Sequence, residues 1–212
     1  MATPNPDPPS TAPAFIPLEA NPQLMTTLLH KLGLSSALQI HDVYSLTDPD
    51  LLAFIPRPAL ALLLVFPVSA TYESHRLAED ALLDDYEGHG DTAPVVWFRQ
   101  TIRNACGLMG LLHAVANGPA RDYIGPAASQ GDTSAPEATD DVDLHYVCFV
   151  KTTDGAFWEL DGRRKGPLQR GQLEESEDVL STKALTLGPL KFLEREGADL
   201  RFSAVALAGA TD

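Results

Sequence analysis

The stretch QTIRNACGLMGLLHAVAN, Gln100 to Asn117, decides how this chain is read. Leu108, Leu111, Leu112 and Val115 recur at helical spacing and Gly118-Pro119 supplies a stop, so the pattern predicts a helix from about Cys106 to Asn117. The cysteine therefore falls in a first helical turn. There it faces unpaired backbone N–H groups and the positive end of the helix dipole, both of which favour thiolate over thiol. A cysteine so placed is either a nucleophile or a small buried hydrophobe, and its company has to decide.

Working outward, VVWFRQ (95–100) reads as a short apolar strand leading to the cysteine. YESHRLAEDALLDDYEG (72–88) reads as an exposed acidic helix with Gly88 beyond it. ALALLLVFP (59–67) is a continuous apolar run closed by Pro67, which suits a strand buried on both faces and hence the middle of a sheet. QIHDVYSL (39–46) alternates enough for another strand. Before it, Leu24, Leu28, Leu29 and Leu32 repeat at helical spacing from Pro22, with Asn21 as N-cap and Gly33 as terminator. Residues 1–14 carry Pro4, Pro6, Pro8, Pro9 and Pro13 among small polar residues and are expected to form a disordered tail, with folding starting near Phe15.

Downstream, GPAASQGDTSAPEATDD (125–141) is small, polar and acidic and is expected to be a mobile surface loop. VDLHYVCFV (142–150), AFWELDG (156–162) and LRFSAVAL (200–207) read as strands, with SEDVLSTKALTLGPLKFLERE (176–196) a broken helix before the last. The expectation is one α+β domain over residues 15–210, built on a single sheet.

Composition narrows the function. Among 212 residues, two cysteines cannot make a disulfide framework, and no CxxC or HExxH spacing suggests a metal. A formal charge of −14 repels nucleic-acid phosphates and anionic membranes but steers in a basic protein partner. No apolar run reaches about 18 residues and no signal-peptide order opens the chain, so a soluble protein of the cytoplasm, with the nucleus as a second location, is expected.

His145 and Asp161 are the company that Cys106 needs. Alternation in 144–150 places His145, Val147 and Phe149 on one strand face and Tyr146, Cys148 and Val150 on the other. Asp161 ends the next strand before a glycine turn, where a carboxylate can hold an imidazole in one tautomer or simply cap the turn. His113 shares the helix face of Cys106 at i+7 but stands about 10 Å along the axis, beyond hydrogen-bond reach, and is rejected as a base. Gln100 could donate its amide to an oxyanion formed on an attacked carbonyl. Cys148 reads as core packing.

At these residues the chain resembles the ubiquitin C-terminal hydrolase (UCH) family of papain-like cysteine peptidases, in its small single-domain type. The resemblance rests on QTIRNACGLMGLLHAVAN together with FIPLEANPQLMTTLLHKLGL, IPRPALALLLVFPVS, VDLHYVCFV, FWELDGR and LRFSAVALA, in that family's order from about Phe15 to Ala208. It implies a papain-like α+β fold of the UCH type, with a central, mostly antiparallel sheet flanked by helices. By position it makes Cys106 the nucleophile, His145 the general base and then acid, Asp161 the residue orienting that histidine, and Gln100 the oxyanion donor. It further implies a monomer that uses no metal or cofactor, takes ubiquitin or a ubiquitin-like protein as partner, and contacts it through Leu18 and Glu19.

One departure stands out. Cys106 and His145 lie only 39 residues apart, whereas family members carry a longer, partly helical connection before the loop that crosses the active site. The 25 residues from Gly118 to Val142 could still span roughly 80 Å when extended, so the strand can be rejoined over the cleft. The resemblance thus predicts a hydrolase of small or unfolded ubiquitin adducts, or, if the short connection disables the site, a protein that only binds ubiquitin.

Overall fold

The computed structural model describes residues 15, 17–89, 92–125, 144–196 and 201–211. The expected tail over 1–14 and the expected mobile loop over 127–141 lie outside them. Among the described residues six strands form one sheet: β1 (Leu38–Asp42), β2 (Ala61–Pro67), β3 (Leu144–Lys151), β4 (Ala156–Leu160), β5 (Leu168–Gln172) and β6 (Ser203–Gly209). Their order is β1-β6-β2-β3-β4-β5, and every neighbouring pair is antiparallel. All seven residues of β2 are buried, as its unbroken apolar run requires.

Period-two alternation along β2 and β3 divides the interior into two cores. Leu63, Val65, Tyr146, Cys148 and Val150 face helix α1 (Pro22–Lys31) and helix α4 (Cys106–Val115), meeting Met25, Leu29, Leu111 and Ala114. Leu62, Leu64, Phe66, Val147 and Phe149 face the other way, onto Phe157, Leu180, Leu185 and Phe192. At about 1.5–3 kcal/mol for each fully buried large apolar side chain, these two layers dominate the fold. Asn21 caps α1 as expected, its side chain accepting from Leu24 N. The broken helix resolves into α5 (Thr182–Leu187) and α6 (Pro189–Glu196), separated at Gly188, beyond which Pro189 cannot continue α5.

Two expectations need correction. Residues 95–100 form no strand: Val96 N donates to Asn117 Oδ1, Phe98 N to His113 Nε2 and Gln100 N to Gly162 O, so one side chain of α4, one just past its end and a loop carbonyl replace a ladder. The acidic helix is shorter than expected. Helix α3 spans Ala70–Asp80, and past it Leu82 is 86% exposed with no apolar face to bury. There Tyr86 draws the chain away, its N donating to Lys165 O and its hydroxyl to Val95 O. A short helix α2 (Pro49–Leu52), strand β5 and a 3₁₀ turn at Gly118–Tyr123 complete the described chain. No helix among the described residues is long and apolar enough to cross a membrane.

Candidate active site

Helix α4 begins at Cys106, and Ala105 in the N-cap position offers no side-chain cap, so nothing on the preceding residue competes for the first backbone N–H groups. The turn into the helix passes through Asn104 at φ +58, a left-handed conformation that asparagine tolerates better than most residues. Residue 107 must be glycine: a Cβ there would lie 2.7 Å from the Cβ of Leu18. The segment around Leu18 is thereby laid against the first turn of α4, and the Tyr146 hydroxyl donates to Leu18 O at 2.6 Å to hold it. Glu19, its neighbour, is exposed.

The Cys106 sulfur is 3.7 Å from Leu144 O, at the start of β3. The next residue is His145, 2% exposed, whose Nε2 lies 2.8 Å from Asp161 Oδ1. Burial alone would lower the imidazole pKa, but the Asp161 charge and hydrogen bond, joined by a hydrogen bond and charge from Cys106, raise it to about 9. Asp161 is fully buried. Burial works against its ionised form, yet His145, the Tyr72 hydroxyl and Arg163 N–H hold its carboxyl well below the ordinary carboxylate range. Its main-chain carbonyl accepts the indole N–H of Trp97 at 3.0 Å, which fixes the backbone under the carboxylate.

Gln100 is joined to the same turn. Its N donates to Gly162 O at 2.8 Å, and a Cβ at 162 would come within 3.0 Å of Gln100 Cβ, so glycine there lets the two backbones touch. The Gln100 side-chain Nε2 donates to Ile102 O at 3.1 Å, which uses one of its two hydrogens. The structure thus gathers Cys106, His145 and Asp161, ties Gln100 to the Asp161 turn, and lays Leu18 beside α4.

Sequence reasoning missed the supporting shell. Tyr72 from α3 donates its hydroxyl to Asp161 Oδ2 at 2.5 Å, and nothing in the spacing of an exposed-looking helix marks it. Rejecting His113 as the base agrees with its position, since its Nε2 is occupied by Phe98 N at 2.9 Å and its ring stacks on Phe98. Burial pushes His113 down to about 4, keeping it neutral so that it can accept. In the unfolded chain the same ring titrates near 6.5, so between pH 6.5 and 4 the unfolded state binds a proton that the folded state refuses. Stability from this group is complete above pH 6.5 and falls by about 3 kcal/mol as pH drops through 4. His113→Gln keeps an acceptor for Phe98 N and removes the titration. Thermal unfolding at pH 7 and pH 5 is expected to show a smaller acid loss for the variant, and equal losses would clear His113 of that role.

Comparison with known proteins bears on the family and the fold. The profile of ubiquitin carboxyl-terminal hydrolase, family 1, matches residues 15–126 and 120–187. Its two stretches meet at residues 120–126, between Cys106 and His145. Ubiquitin carboxyl-terminal hydrolase YUH1 of Saccharomyces cerevisiae is 32% identical over 235 residues, covering 92% of this chain and 95% of that protein. Human ubiquitin carboxyl-terminal hydrolase isozyme L1 is 32% identical over 228 residues, covering 92% and 98%. Trichinella spiralis UCH37 bound to ubiquitin vinyl methyl ester shares the fold with a TM-score of 0.62 at 20% identity, over 92% of this chain and 82% of that one. With the family profile and full-length relatives in agreement, the chain belongs to ubiquitin carboxyl-terminal hydrolase family 1.

Proposed function

We propose that Cys106, His145 and Asp161 are the catalytic triad of a deubiquitinating thiol hydrolase that cleaves after the C-terminal glycine of ubiquitin, with Gln100 as oxyanion donor. Family membership makes the chain a cysteine-type ubiquitinyl hydrolase. The observation that carries the assignment of residues is the 2.8 Å bond between His145 Nε2 and Asp161 Oδ1. It commits one ring nitrogen to the carboxylate and leaves Nδ1 for the sulfur at the start of α4.

The Cys106 thiolate attacks the glycine carbonyl while imidazolium His145 holds the proton. The tetrahedral oxyanion is met by the Cys106 backbone N–H and the free Gln100 amide hydrogen. His145 then protonates the departing amine or thiol, and water, deprotonated by the same ring, resolves the thioester. Asp161 stays ionised throughout. Leu18 and Glu19, beside the first turn of α4, are proposed ubiquitin contacts, and small or unfolded adducts are the proposed leaving groups.

Ubiquitin bearing a C-terminal electrophile tests this. The expected product is one covalent adduct, mapped by mass to Cys106. Cys148 is expected to stay unmodified, because it is wholly buried and burial pushes its thiol pKa far up. Folded protein that binds ubiquitin without forming an adduct would establish the binding-only alternative, and an adduct on Cys148 would overturn the assignment.

A further inference from the structure

We infer that Tyr72 is a positioning residue for the reaction, acting through Asp161 rather than on substrate. The inference rests on the proposed triad and concerns the oxygen of Asp161 that the triad does not use. Oδ1 is saturated by His145 Nε2 at 2.8 Å and Arg163 N at 2.9 Å. Oδ2 takes the Tyr72 hydroxyl at 2.5 Å, while the nearest cation on that side, Arg164 Nε, stands back at 4.0 Å. With Oδ1 pinned on one side and Oδ2 on the other, the carboxylate plane has no freedom to rotate away from the imidazole.

Tyr72 is itself over-determined. Ser69 caps α3 by accepting from Tyr72 N at 2.9 Å, which fixes the backbone from which the ring projects. The ring packs edge-on to Phe66, with centroids 5.0 Å apart, and lies 5.7 Å from the His145 ring. One side chain therefore touches both members of the His–Asp pair. Burial and the Asp161 charge push the phenol far above its ordinary pKa, so it remains a donor across the working range.

The hydroxyl also shares the carboxylate's charge. The charged and titratable groups bearing on the His145–Asp161 pair are Tyr72 and Arg76 from α3, Cys106 and His113 from α4, and Arg163 and Arg164 from the turn after β4. Removing only the Tyr72 hydroxyl leaves the others in place and concentrates negative charge on Asp161. The imidazole then holds its proton more tightly.

Tyr72→Phe, assayed beside Asp161→Asn with a ubiquitin amide dye, is the test. The expected result is about a tenfold fall in kcat with KM unchanged. The basic limb of the rate profile is expected to move up by ~0.5 pH unit, and the downfield Nε2–H proton resonance of His145 to shift. Unchanged kcat and an unmoved limb would overturn the inference. A fall in kcat with no movement of limb or resonance would also overturn it, because it marks a structural role only. Should Asp161→Asn leave turnover intact, the triad assignment itself fails, and that outcome is distinct from a silent Tyr72→Phe. If Tyr72→Phe is too unstable to assay, 3-fluorotyrosine at position 72 keeps the bond with a stronger donor, and the limb is expected to move down instead.

Discussion

Asp161→Asn is expected to lower turnover by about a hundredfold or more while leaving ubiquitin binding unchanged. The amide can present an oxygen to His145 Nε2, but it carries no charge to stabilise the imidazolium. It also replaces one acceptor with a donor. If its oxygen stays with His145 and Arg163 N, its Nδ2 confronts the Tyr72 hydroxyl, which must turn and accept. The pH profile carries the sign. His145 is raised to about 9 because attractions from Asp161 and Cys106 exceed the cost of burial. Without the Asp161 charge, burial remains and the basic limb falls from about 9 toward or below the ordinary histidine value near 6.5. Rates of ubiquitin amide-dye hydrolysis from pH 5 to 10 check both. A limb that stays near 9 would remove Asp161 from the site, and an equal loss of ubiquitin affinity would make its role structural.

What was legible in the sequence depended on whether one segment was enough to specify the outcome. The run Leu62–Phe66 announces a strand covered on both faces because every side chain is apolar, and burial of the whole of β2 agrees. The Asn21 cap and the break in the 176–196 helix are local chemistry: the cap appears where expected, and the break falls at Gly188-Pro189. Val95–Gln100 looked like a strand because apolar content cannot reveal what its N–H groups meet. Here they meet His113 on α4 and Asn117 just past its end, four residues apart. Strand β5 escaped notice because LQRGQ is an edge segment with little to bury, held by its pairing to β4 across a register shift at Phe157/Trp158. The site divides the same way. Cys106 was marked by its place before a helical run. His145 and Asp161 gained meaning only together and through resemblance, and Tyr72 could not be marked at all, since 89 residues separate it from the carboxylate it touches.

Arg164→Met is expected to destabilise the protein by about 3–5 kcal/mol, far more than loss of any exposed ion pair. The Arg164 side chain is 1% exposed and lies among four carboxylates: Glu79 at 2.6 Å, Asp80 at 3.1 Å, Glu159 at 3.2 Å and Asp161 at 4.0 Å. Glu159 is itself 1% exposed and Asp80 8%, so neither can turn to water when the guanidinium goes. Arg170 remains on Glu159 and Arg76 on Asp80, which limits the damage without cancelling it. The planar fork matters as well, because three of the carboxylates approach from different directions and a lysine ammonium cannot reach them together. Arg164→Lys is therefore expected to recover only part of the loss. Arg99, 50% exposed and paired with Asp85 at 3.1 Å, provides the contrast: Arg99→Ala removes a screened pair and is expected to cost about 1 kcal/mol or less. Urea unfolding of the three variants at pH 7 measures the differences directly. A loss for Arg164→Met as small as that for Arg99→Ala would mean that the carboxylates repack or take up protons. In that case the cluster joining α3 to the Asp161 turn would not be what holds the two together.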